Sequence, residues 1–136
     1  MIQIQLYSKI LTSILLTLFI ISCENLNSQD NIYGNWVGIH NGYETSFVFE
    51  TDSTCTFNYY DKYSGGFKSI NGKYKLDFSK NPIPLSIRNI AQLNNGLYTI
   101  LEFINKDLIR IVEFSPKWRL RPISFDNSKT LFFKRT

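Results

Sequence analysis

Histidine occurs once in this sequence and cysteine twice. A zinc site takes three or four His, Cys or carboxylate ligands, so the single His40 argues against one, and no metal site is expected. Two cysteines, Cys23 and Cys55, are too few for a disulfide framework. Basic runs are scarce as well. Fifteen Lys and Arg against eleven Asp and Glu leave a formal charge of +4, which suits solubility or weak attraction to anionic surfaces. Nucleic-acid binding would need a concentrated basic stripe, so no nucleic acid is expected as a partner. No apolar run reaches the roughly 20 residues of a spanning helix. "YSGGF" lacks the Gly-Lys-Ser/Thr ending and the following helix of a phosphate cradle, so it is a flexible loop. No Ser-nucleophile elbow is present, and no cofactor is indicated.

Helical periodicity is also missing after residue 32. Aromatics make up 15% of the chain, with 11 Phe and 8 Tyr, residue types that favour strands. From Tyr33 onward, apolar residues recur at every second position in short runs separated by turn residues. The pattern predicts eight strands at 35–40, 44–51, 54–60, 69–78, 85–88, 96–104, 108–114 and 129–135. Asn41-Gly42 between the first two is the strongest short hairpin signal. In "KYKLDF", Tyr74, Leu76 and Phe78 face one way and Lys73, Lys75 and Asp77 the other. "SKNPIP" reads as a turn, because proline is excluded from central strands. Short antiparallel strands with local connections predict an all-β fold, a small up-and-down barrel of about eight strands. Bulky inward residues such as Phe47, Phe49, Phe57 and Tyr59 predict a well-filled interior with at most a shallow pocket at one end.

The amino terminus is different in kind. Residues 10–21 are nearly all apolar, Lys9 precedes them, and the run ends Ile20-Ile21-Ser22-Cys23 before a polar stretch. Its length suits the apolar region of a signal peptide. The aliphatic–small–cysteine ending resembles the bacterial lipoprotein signal. That resemblance implies a diacylglyceryl group on the Cys23 thiol, cleavage after Ser22 and acylation of the new amino terminus by a fatty acid such as palmitate. An ordinary secretory signal with a chance cysteine is the alternative. The implied organisation is a signal peptide at 1–22, a polar tether at 23–32 and a β domain at 33–136. Cleavage leaves 136 − 22 = 114 residues and, with Lys9 gone, a charge of +3. Two or more acyl chains anchor a protein stably, so the implied address is the bacterial cell envelope, with the membrane as a partner through the anchor. Cys55, alternating with Phe57 and Tyr59, reads as a buried small hydrophobe.

Gly34-Asn35-Trp36 matches the Gly-x-Trp signature of lipocalin-like barrels, and the closing Phe132-Phe133-Lys134-Arg135 supplies the late basic residue that such barrels pack over the tryptophan. Gly72-Lys73-Tyr74, Asn81-Pro82, Gly96-Leu97-Tyr98 and Arg121-Pro122-Ile123-Ser124-Phe125 resemble a narrower group, a planctomycete-type secreted domain family of unknown function. The resemblance implies barrel closure by Gly34, Trp36 and Arg135, and a structural role for Arg121. It implies no catalytic residues.

In an up-and-down barrel with Trp36 at the closed end, the loops after the first, third, fifth and seventh strands gather at the open end. The long connection 115–127, with its "PKWRLRP", is expected there. Tyr43, Tyr60, Tyr63, Trp118 and Arg119 are the candidate residues for a mouth that binds a small apolar or amphipathic ligand. The same loops could instead present a surface to an envelope protein, as an interaction or inhibitor module. Alternatively Trp118 packs on the barrel and Lys117, Arg119 and Arg121 stay solvated. His40, beside a turn, reads as solvent-facing. The carboxylates are scattered, Glu102 and Glu113 among them, so no catalytic pair is expected and the chain is read as a non-enzyme.

Overall fold

The computed structural model describes Asn31–Thr136. Cys23, the signal segment 1–22 and the tether up to residue 30 lie outside the described residues. Eight antiparallel strands close into an up-and-down barrel: β1 (Gly34–His40), β2 (Tyr43–Phe49), β3 (Thr54–Asp61), β4 (Gly66–Leu76), β5 (Ile83–Arg88), β6 (Leu97–Asn105), β7 (Leu108–Val112) and β8 (Thr130–Arg135). Each strand pairs with its neighbour in sequence, and β8 returns to β1 with Trp36 opposite Arg135. The only helix among the described residues is a single 3-10 turn, Trp118–Leu120.

Alternation decides what is inside. Trp36, Phe47, Phe49, Cys55, Ile70, Leu85, Ile87, Leu101, Ile109, Ile111 and Phe133 form the buried core, one face of every strand, as a closed sheet requires. The β1–β2 hairpin turns on Asn41 at φ 52° and Gly42 at φ 82°. Two successive residues in the left-handed region make the turn type whose twist matches the flanking strands.

Four local readings differ from expectation. Phe78, placed inside with Tyr74 and Leu76, lies beyond the end of β4 and is 47% exposed. Pro84 sits within β5, opposite Ile100. Its carbonyl accepts from the Asp77 N–H at 3.2 Å, so its missing donor faces the same side, past Leu76 and Leu85 where the β4 ladder stops. The one bond forgone lies at the end of the ladder, where the Asp77 carbonyl accepts from the Lys80 N–H at 3.3 Å instead. Ile32, read as the end of the tether, is buried and its carbonyl accepts from the Trp36 indole N–H at 2.8 Å.

The long β7–β8 connection departs most. It does not gather over the mouth but folds back along the outer wall. Ser115 and Tyr98 exchange backbone hydrogen bonds at 2.9 Å each way. Arg121 donates to the carbonyls of Leu85 and Thr99 and, at 2.7 Å, to the Ser86 hydroxyl, with its guanidinium over the Tyr98 ring. Phe125 covers the Arg110 guanidinium at 4.0 Å. This strap buries the outer face of β6, so Tyr98, Thr99, Ile100 and Leu101 are all buried in a row.

Candidate functional site

The closed end is plugged. Arg135 lies 4.2 Å over the Trp36 ring and donates to the carbonyls of Asn31, Tyr33 and Lys106. Its charge also lies near the Asp107 carboxylate at 3.5 Å. Gly34, at φ +112°, takes a backbone conformation that side chains disfavour, and a Cβ there would stand 3.5 Å from the Arg135 guanidinium. Trp36, wholly buried, fills the space beneath. Cation over indole, partly buried and hydrogen-bonded, holds the first and last strands together.

The other end is open. Inward side chains of β2 and β3 stack into a ladder of near-parallel rings. Phe49 and Phe47 lie 5.5 Å apart at 15°, Phe47 and Phe57 4.4 Å at 15°, Phe57 and Tyr59 5.2 Å at 16°. Phe133 meets Phe47 edge-on at 5.1 Å. Phe114, just past β7, leans over the ladder at 5.8 Å from Phe47 and 5.7 Å from Phe57, tilted by 53–56°. Between these rings lies an open hollow of about 350 Å³, with Ile111 and Leu131 completing its apolar wall. Its rim is polar: His40, Asn41, Lys62 and Glu113.

A second hollow of about 360 Å³ adjoins it, sharing His40, Asn41, Tyr59 and Lys62 and reaching out to Tyr43, Tyr60 and Tyr63. Tyr43 and Tyr60 stack face to face at 3.7 Å and 10°. Hydrogen bonding and charge from the Tyr43 hydroxyl raise the Tyr60 hydroxyl above its ordinary range. The loop that carries Lys62 and Tyr63 is pinned by Asp61. The Asp61 carboxylate accepts from the Tyr63 N–H and the Ser64 hydroxyl at 3.0 Å each and pairs with Lys68 at 2.6 Å. These contacts, Lys68 first, lower the Asp61 pKa to about 2.

The five candidate residues therefore divide. Tyr43, Tyr60 and Tyr63 meet at one hollow. Trp118 and Arg119 do not join them: they stack on each other at 5.4 Å in the strap, with Trp118 62% exposed. His40 is not a purely solvent-facing residue. It sits at the mouth with Nε2 3.3 Å from a Glu113 carboxylate oxygen. Sequence reasoning passed over His40, although Trp36, Gly38 and His40 share one face of β1 by simple alternation. Glu113 follows Ile109 and Ile111 in the same way. Phe114 carries no such signal, because it falls one residue out of step with Ile109 and Ile111 and turns toward the hollow only past the end of β7. Glu102 pairs with Arg110 on the wall and is remote from Glu113 in partner and face. Among the described residues, no three or more His, Cys, Asp and Glu side chains gather closely enough to hold a metal ion.

No family model, curated protein or solved structure matches this chain.

Proposed function

We propose that this protein is a lipid-anchored bacterial envelope barrel that holds a small apolar or amphipathic ligand in its mouth and performs no catalysis. The observation that carries the reading is the aromatic-walled hollow of about 350 Å³ with a polar rim, a size and lining typical of small-molecule sites. The closed end is stoppered by Trp36 and Arg135, so a ligand has one way in. The address rests on the sequence, Lys9 before an apolar run ending Ile21-Ser22-Cys23, which resembles a lipoprotein signal. The Gly34-x-Trp36 and Arg135 pattern similarly supports kinship with lipocalin-like barrels. Native mass spectrometry of protein purified gently from its host is the test. A small molecule that co-purifies with the wild-type chain is expected, and its repeated absence would count against ligand binding. Cys23→Ser is expected to release the protein from membrane fractions and to abolish the acyl mass increment.

One observation favours a second reading. The strap exposes Trp118, Leu120 and Ile123, at 62%, 66% and 87%, next to Lys117 and Arg119. Exposed apolar groups beside charge are common at protein interfaces, so an envelope protein gripping the strap is the alternative.

A further inference from the structure

We infer that the mouth ligand is an aromatic ring bearing an anionic substituent, its ring in the hollow against Phe57 and Phe114 and its anion at Lys62. This rests on the ligand-binding reading above and narrows it. Shape is the first reason. Phe49, Phe47, Phe57 and Tyr59 stack into a column whose ring edges face the hollow, and Phe114 touches that column at a tilt. A hollow lined by ring edges and a tilted ring accepts another ring by edge-to-face contact. A long acyl chain fits poorly, because the space below is filled by Trp36, Phe49 and Leu101, all essentially inaccessible. The hollow stands near the small end of ligand sites, so a chain of many carbons would protrude into water.

Charge is the second reason. Four charged or chargeable groups stand near the mouth, and most are already answered. Asp61 is held by Lys68, and Glu113 lies against His40. Lys62 lines both hollows and, among the described residues, has no carboxylate within 4.0 Å. Lys62 is therefore the rim cation that, among the described residues, has no carboxylate partner. Asn41, which lines the same two hollows, has one amide N–H engaged with His40 Nε2 and a second to offer an anion. A carboxylate or sulfonate on the ring would reach the Lys62 ammonium at the rim while the ring stays in the aromatic hollow.

The experiment is isothermal titration calorimetry on the intact chain in matched detergent, with three probes: 2-naphthoate, its neutral analogue 2-naphthalenemethanol, and decanoate. Naphthoate is expected to bind about tenfold more tightly than decanoate, the scale of two or so ring contacts. Lys62→Gln is expected to weaken naphthoate about fivefold and to leave naphthalenemethanol unchanged, as for loss of one exposed charge pair. Phe114→Leu, which keeps an apolar side chain, is expected to weaken both ring probes and not decanoate. Decanoate binding as tightly as naphthoate would overturn the aromatic class while leaving the ligand site intact. Naphthoate binding indifferent to both substitutions would overturn the placement. Failure of all three probes to bind would overturn the ligand reading itself.

Discussion

Trp36 has no exposed surface, and its one polar atom donates to the Ile32 carbonyl. Truncating it to alanine removes a large core ring, releases a buried carbonyl and leaves Arg135 with nothing to cover. Trp36→Ala is expected to destabilise the barrel by about 3–5 kcal/mol, read from the denaturation midpoint. Arg135→Lys tests the fork separately. An ammonium keeps the charge but cannot reach carbonyls of Asn31, Tyr33 and Lys106 together. A loss of about 1–3 kcal/mol is expected, the range for charged hydrogen bonds. Cys55 poses the opposite case. Burial pushes its thiol up to about 12, so alkylation by iodoacetamide at pH 8 is expected only after denaturant opens the barrel. Rapid native labelling would contradict its burial. The pairing of Trp36 with Arg135 was legible beforehand, because an even number of up-and-down strands returns the last residue to the end where the first began. His40 lies beside a turn and stays about a third exposed, while its parity with Trp36 turns it toward the mouth.

At the scale of elements, five of the seven connections share one device. Asp52, Asp61, Asp77, Asn105 and Asp126 each accept, through the side chain, the backbone N–H two residues on, at 2.9–3.1 Å. This fixes the chain's exit from a strand without glycine or proline. The four carboxylates are all lowered in pKa, chiefly by hydrogen bonds from Thr54, Lys68, Ser79 and Ser128. A carboxyl whose folded pKa lies below its unfolded value, about 3.9 for Asp, stabilises the fold above that value and loses the contribution as pH falls through the folded pKa. Stability from these turns is therefore expected to be flat above about pH 5 and to decline from about pH 4 toward 2, where Asp61 finally protonates. Asp61→Asn keeps an acceptor for the Tyr63 N–H and removes the titration, so the acid limb of its melting profile is expected to be shallower. Strand positions were readable because alternation is a local signal. The strap was not, because its course is set by Arg121 reaching carbonyls on β5 and β6, a contact between residues 22 and 36 positions apart that leaves no period in the sequence.

For the whole molecule, closure is the property that matters, and one strand provides it. β8 pairs with β7 from Leu108 to Val112 and with β1 from Trp36 to Gly38. It contributes Phe133 to the floor of the hollow and Arg135 to the plug. Without it, β1 and β7 become open edges, each offering unpaired backbone groups to another chain. The core would lose Phe133, wholly buried, and Leu131, packed against it. β8 joins the first strand across about a hundred residues of chain, a non-local contact of the kind that slows folding and makes it all-or-none. Deleting residues 130–136 is therefore expected to abolish the cooperative thermal transition, and not merely to lower its midpoint, with the chain eluting as aggregate on size exclusion. A truncated chain that still melts sharply as a monomer would mean that seven strands suffice. The mouth, which draws its walls from β2, β3, β7 and β8, would then be less dependent on closure than its geometry implies.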